Sequence, residues 1–428
     1  MFPSLPRVVN LGPKGARAGS ITPDAADAPP AFGPRPVADG GVAKAVWSAV
    51  TPCGRAWVTH SWREVSPAVW RAAFNDAPYD HRFFEVIERA MRRQFEQRYF
   101  VLEDRQEGRF AVQPFFMVRQ DLAAGLPARA RRLLEPWRKR WPHLLTAPIL
   151  MVGNPAGEGR IDGDQPWVPR ALCEALIAFS QHAGVALTLL KDFPAEYRPP
   201  FRAFTERGFV RLPGLPSARL SLDFTGFEAF VAQRLSKSYR KSLRRKWRAI
   251  SRRPPVTMTL VDDARAVIDD VFPLHLQVYA RAERTFEALT PEYLLGLQER
   301  LPDKVRCFVW RQRGKVVAFN LCLVHGETLY DLDVGFDYEV ALDLHLYFST
   351  WRDVVEWCLR QGIRTYHGGP LSYDPKLHLG FELVPQDLYV RHAWGPLGPL
   401  LRVAARWLGP VPHEPLLKRF SNYSALFG

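Results

Sequence analysis

The chain repeats itself, and that constrains its fold more than any other feature. Residues 99–118 form two apolar, alternating runs around a charged turn at Gly108, and residues 307–324 have the same form around Gly314. Alternation at period two on both sides of a glycine turn predicts a β-hairpin in each place. Further on, Gly208-Phe209 and Gly380-Phe381 each end a short helix and open a strand, glycine after the last turn being a common helix stop. The elements between these landmarks keep one order. The first copy reads as a strand over residues 57–62, helices over 66–74 and 81–97, the hairpin, a strand at 149–152, a helix over 169–183 and a strand at 186–191. The second reads as a strand at 256–261, helices over 264–281 and 291–300, the hairpin, a strand at 329–334, a helix over 342–361 and a strand at 364–366. A duplication of this kind predicts two mixed α/β units, at residues 47–225 and 226–393, with a longer insertion in the first. Residues 1–46 are rich in Pro, Gly and Ala, lack periodicity and read as a disordered leader.

A length of 428 residues suits two cores. No apolar run approaches the roughly 20 residues that cross a bilayer, and the start has no signal pattern, so a cytoplasmic protein is expected. The five cysteines are scattered without metal-ligand spacing and read as reduced packing residues; no metal is expected. The formal net charge of +14 favours an anionic partner: RNA, phospholipid headgroups or a nucleotide-bearing donor.

Residues 234–253 are about half Lys and Arg, with Leu235, Tyr239, Leu243, Trp247 and Ile250 at helical spacing. This predicts an amphipathic helix whose basic face, including Arg244, Arg245 and Lys246, binds phosphate on tRNA, a nucleotide donor or an anionic membrane. A solvated helix packed through its stripe is the plainer alternative. In the strand at 329–334, strict alternation would put Asp331 and Asp333 on one side and Tyr330 and Leu332 on the other. Asp333 is then the candidate base or amine anchor, and Tyr330 or Tyr338 the candidate general acid. His345 is a candidate proton shuttle, against the alternative of a packing histidine. His367, ahead of Gly368-Gly369-Pro370, lies in a turn at the carboxyl end of a strand, where α/β sheets hold ligands. No nucleophile elbow, phosphate-binding loop or zinc spacing stands out. From Trp394 on, Leu397, Leu400, Leu401, Val403, Ala404, Trp407 and Leu408 outline an amphipathic tail (residues 394–428) that docks on its own protein or lies on a membrane surface.

The order of elements, the basic run at residues 236–246, the stretch 329–338 and the run from Tyr373 to Phe381 together resemble the GNAT N-acetyltransferase fold. The pair resembles the tandem arrangement of the FemAB-like acetyltransferase and peptidoglycan-bridge group. The resemblance implies tandem GNAT-like domains with a catalytic second copy, a degenerate or substrate-binding first copy, and acyl transfer from acyl-CoA to an amine acceptor. It also implies that Tyr373 and Lys376, matching a Tyr-x-x-Lys pattern, contact a substrate carboxylate or donor phosphate. One departure is plain: where acetyl-CoA-binding members carry a Gly-rich turn, residues 338–345 have no glycine and hold Glu339 and Asp343. Carboxylates repel phosphate, and some FemAB-like relatives use aminoacyl-tRNA and cell-wall or lipid-linked acceptors. Both donors therefore stay open, beside a non-enzymatic RNA- or membrane-binding module.

Overall fold

The computed structural model describes residues 45–74, 77–121, 128–141, 146–162, 165–282, 287–395, 398, 402–403 and 409–427. The first half runs β1 (Trp47–Thr51), β2 (Gly54–Thr59), α1 (Pro67–Ala72), α2 (His81–Ala90), β3 (Glu96–Asp104), β4 (Phe110–Asp121), α3 (Ala128–Arg140), β5 (Thr146–Val152), α4 (Trp167–His182), β6 (Leu187–Pro194), α5 (Arg202–Glu206), β7 (Val210–Pro213) and β8 (Ser217–Ser221). The second runs α6 (Phe227–Arg234), α7 (Lys237–Ile250), β9 (Val256–Val261), α8 (Ile268–Tyr279), α9 (Pro291–Arg300), β10 (Val305–Gln312), β11 (Lys315–His325), β12 (Thr328–Phe336), α10 (Leu346–Arg360), β13 (Thr365–His367), α11 (Tyr373–His378), β14 (Glu382–Val384) and β15 (Gln386–His392), with a last turn of helix, α12 (Tyr423–Phe427). Among the described residues no helix is long and apolar enough to cross a membrane.

Both expected hairpins form. Arg313 and Gly314 both take positive φ, the left-handed pair that matches strand twist, and β10 and β11 leave them antiparallel. The helix expected over 81–97 stops at Ala90, because the chain turns into β3 at Glu96. The helix expected from residue 342 begins at Leu346, since His345 ahead of it takes a left-handed conformation and cannot extend an α-helix backwards. The longer insertion of the first copy is largely α3, set between β4 and β5 where the second copy turns tightly at Gly326.

Two mixed sheets result, ordered β1-β2-β3-β4-β5-β6-β15-β7 and β14-β8-β13-β12-β11-β10-β9. Strands β2 to β7 of one match β9 to β14 of the other, but the place beside the last strand is exchanged. β15 lies between β6 and β7, pairing Tyr389 with Leu190 and Arg211. β8 lies between β13 and β14, pairing Leu220 with Tyr366 and Ala218 with Leu383. Burial explains the exchange: Tyr389 packs against Phe201, and the buried Asp387 pairs with Arg198 and Arg211, whereas Ala218 and Leu220 are wholly buried in the other core. A boundary at residue 225 thus divides the sequence, while in space each half lends a strand to the other.

Each half has an outer core around its long helix, α4 or α10, and the two share a third core built from α1, α2, α8 and α9. Phe83 and Ile87 of α2 and Leu294 and Leu297 of α9 are almost fully buried there; side chains of this size contribute roughly 1.5–3 kcal/mol each. Arg82–Asp303 (2.7 Å), Lys304–Asp80 (2.8 Å) and Arg300–Glu85 (2.8 Å) tie the halves together. Most of the expected tail helix lies outside the described residues, as do residues 1–44; beyond it Val411, Leu417 and Phe420 pack into the second outer core.

Candidate active site

β12 is bulged. Asp331 sits opposite Cys322 and Asp333 opposite Leu321, so Leu332 has no partner on β11. A bulge turns two successive side chains to one face, and this corrects the expectation that Asp331 and Asp333 point the same way. Asp331 turns into the second outer core, where Tyr366 Oη donates to it at 2.6 Å. Burial raises its carboxyl to about 6, against the opposing pull of Tyr366 and Lys376. Asp333 turns instead toward the core shared by the two halves. Its Oδ2 lies 2.8 Å from His275 Nδ1 of α8, and its side chain keeps 14% of its exposure. Burial raises this carboxyl, and the His275 contact opposes the rise. α8 comes this close because Gly335 has no side chain: a Cβ there would stand 2.8 Å from the His275 backbone nitrogen and 2.2 Å from the Phe319 ring.

Strands β12 and β13 run parallel and pair only from Thr328 to Tyr330, after which they part. The equivalent strands of the first half, β5 and β6, part after Val152, but there the chain fills its own gap. The segment after β5 lies back on β6, with Gly159 N donating to Asp192 O at 2.9 Å. Gly153 and Gly159 allow this, since a Cβ on either would stand within 2.8 Å of the Lys191 carbonyl oxygen. In the second half the pairing of β12 with β13 ends at Tyr330 and His367.

The same segment sends Glu158 and Arg160 across to the second half. Glu158 pairs with His367 at 3.1 Å and with Gln386. Burial raises the Glu158 carboxyl, but His367 and Arg160 together bring it below its ordinary range. Arg160 pulls the Tyr330 hydroxyl down against the rise that burial gives it, and the Tyr330 ring neighbours those of His367 (5.2 Å) and Tyr79 (6.5 Å). Glu287, raised by burial, lies within electrostatic reach of Asp333 and of the buried Lys191, which pairs with Asp192 at 2.6 Å. Carboxylates and bases from both halves therefore meet where the halves face each other.

On the other side of the opening, α10 begins without a side-chain cap and without an acid in its first turn. Its Leu346 and Phe348 amides already donate to Ala341 O at 3.0 Å and His345 O at 2.9 Å, so what favours an anion at this end is the positive end of the helix dipole. Lys246 of α7 reaches this end with Nζ 3.3 Å from the Phe348 ring centroid; burial and then Arg245 lower its ammonium to about 8. Asp343 is paired with Arg253 at 3.2 Å, so one of the two carboxylates expected to repel phosphate is already neutralised. Ser236 caps α7, accepting from Tyr239 N, while Leu235 and Leu243 are buried and Arg244 and Arg245 lie on its outer side. A groove of about 460 Å³ runs along that outer side past Ser238, Lys241, Ser242, Arg245, Arg248, Ala249 and Arg252.

The structure thus gathers Asp333, Tyr330 and His367 in the cleft, and His345, Arg245 and Lys246 around the start of α10. His345 is lowered by its own burial and by Lys246. Tyr338 follows β12, with Arg281 stacked 4.0 Å over its ring. Arg244 sits on the exposed face of α7. Two candidates are held by contacts within the chain. Lys376 is buried, lowered to about 8 by that burial, with Nζ at 2.6–3.3 Å from the carbonyls of Gly368, Gly369, Pro370 and Leu371. The hydroxyl of the buried Tyr373 donates to Pro216 O at 2.7 Å. Both hold the loop after β13. No sequence pattern singles out Glu158, Arg160, Lys191, His275 or Glu287. Only the position of Glu158 and Arg160, after the first copy's counterpart of β12, carries any signal.

Residues 237–376 match the family described as acetyltransferase (GNAT) domain. Among solved structures, FemX is 10% identical over 81% of this chain and 99% of that one, with a TM-score of 0.52, a likeness of fold. The C-terminal domain of a lysylphosphatidylglycerol synthetase from Agrobacterium fabrum, itself described as putative, is 14% identical over 78% of this chain and 93% of that one (TM-score 0.46). A tandem GNAT protein from the clavulanic acid biosynthesis pathway is 11% identical over 73% and 88% (TM-score 0.40). None of the curated protein sequences matches this chain.

Proposed function

We propose, from the premise that the second half of this chain is a GNAT-type acyltransferase domain, that it moves an acyl group from acyl-CoA to an amine held in the cleft between the halves. The observation that carries this reading is the parting of β12 and β13 after Tyr330, where the first half instead folds its own segment back onto β6. An anionic donor suits the uncapped start of α10 with Lys246 and Arg245 beside it, and its acyl end then reaches the opening. An ammonium acceptor suits the cleft of Asp333, Glu287 and Glu158. Asp333 takes the ammonium proton, helped by a carboxyl that burial has made more basic. The free amine attacks the donor carbonyl and the new C–N bond forms; as the bond to the leaving group breaks, the nitrogen gives up its second proton, which replaces the one Tyr338 supplies. Tyr338, kept protonated by its partial burial against the pull of Arg281, returns a proton to the leaving atom.

One feature favours a second donor. α7 carries basic residues from Lys237 to Arg248, over several helical turns. That stretch is longer than one pyrophosphate and fits an aminoacyl-tRNA. The measurement that separates the donors is thermal stabilisation by CoA, acetyl-CoA, long-chain acyl-CoA and charged tRNA, each well above its Kd. A bound ligand at about 100 times its Kd adds about 2.7 kcal/mol. A raised midpoint with an acyl-CoA supports the first donor, and one with charged tRNA alone supports the second. No shift with any of them overturns the donor site.

A further inference from the structure

α3, the insertion that has no counterpart in the second half, takes no part in the cleft. It exposes its apolar residues: Leu133 is 76% exposed, Trp137 58% and the following Trp141 53%. The two indoles stack on each other, with centroids 5.8 Å apart and an interplanar angle of 14°. At spacings of four residues, Leu133, Trp137 and Trp141 fall in one stripe along the helix. The rest of the helix surface carries Arg132, Arg138, Lys139 and Arg140, with Lys139 and Arg132 on the face away from the stripe, against the single acid Glu135. A solvated surface helix would carry both signs of charge and would not expose two tryptophans.

We infer that α3 docks on an anionic phospholipid surface, lying in the interface with Leu133, Trp137 and Trp141 inserted and its cations among the headgroups. Charge complementarity and side-chain chemistry select this occupant. Indole rings favour the headgroup boundary, leucine gains only from the acyl region, and arginines bind phosphate at its edge. A single-stranded nucleic acid would use the aromatic platform but leave Leu133 in water. The inference does not rest on the proposed donor or acceptor; it places whichever reaction the cleft performs at a membrane.

The test is sedimentation of the full chain with vesicles of phosphatidylcholine alone or with roughly one-third phosphatidylglycerol, an anionic surface. It is read alongside tryptophan quenching by brominated acyl chains and by a single-stranded oligonucleotide. The expected result is binding only to the anionic vesicles, weakened by salt, with quenching by the acyl chains. The double variant W137A/W141A should bind about tenfold less or worse. R132Q/K139Q/R140Q should lose about fivefold per charge removed. Thermal midpoints should stay within about 2 °C, because these side chains lie outside the three cores. Absence of vesicle binding by the unaltered chain would overturn the inference. So would equal binding by W137A/W141A, which would assign the membrane contact to another surface, or quenching by the oligonucleotide with none by the acyl chains.

Discussion

Apart from β1, α3 and the exchanged β8 and β15, the two halves have the same order of strands and helices, and they differ where their parallel strands part. In the first, β5 leaves the sheet after Val152 and the following segment folds back onto β6, its glycines packed against the Lys191 carbonyl. In the second, β12 continues through a bulge, sets Asp333 against His275 and pairs with β13 no further than Tyr330. One half has closed its own opening and uses the closing segment to furnish its neighbour's. A duplicated fold therefore divides labour without changing architecture: a few residues after one strand decide which copy has room for a reaction.

Replacing Asp333 by Asn should test the open half most severely. The expected loss is about 10² to 10⁴ in kcat, with donor affinity retained in equilibrium binding; unchanged turnover would remove Asp333 from the chemistry. For the unaltered protein, kcat/KM should fall as pH drops through the raised pKa of Asp333, because protonation removes the base.

The plugged half is tested by Gly159→Ala. Its Cβ would meet the Lys191 carbonyl oxygen at 2.4 Å, with the Phe193 ring also close. About 2–4 kcal/mol of stability should be lost. Gly108→Ala, which meets nothing within 4 Å, should cost only the strain of its positive φ, about 1 kcal/mol. Equal denaturation midpoints for the two variants would mean the plug is not tightly seated.

Glu158→Gln probes the link between the halves. It removes the charge facing His367 and should cost about 1–3 kcal/mol, read as a lower midpoint together with a several-fold lower kcat. The smallest effect belongs to Lys246. Burial lowers its ammonium to about 8, so its positive charge is present below that pH and lost above it. Donor binding should weaken a few-fold as pH rises through that value, and Lys246→Gln should flatten the dependence.

The repeat, both hairpins and the glycine-stopped helices are legible in the sequence, because each rests on short-range pattern. The amphipathic α7 is legible for the same reason: Leu235 and Leu243 are buried where the spacing places them. The bulge at Leu332 is not, since a period-two reading has no means of showing one inserted residue, and it reverses the direction of Asp331. Lys376 and Tyr373 stand out as special positions, yet their partners are backbone carbonyls that no sequence pattern points to. Glu158 and His367 come from opposite halves of the chain, and their contact is fixed only by how those halves dock.

The exchange of β8 and β15 carries a consequence for the birth of the protein. On the ribosome, β6 and β7 emerge with a gap between them that only β15 fills, and residues 214–392 must follow before β15 is complete. At about 5–20 residues per second, the first sheet waits roughly 10–35 s with two unpaired strand edges exposed. During that interval the nascent chain is a target for chaperones and for its own neighbours on a polysome, and it completes both sheets almost at once, when β14 and β15 emerge together.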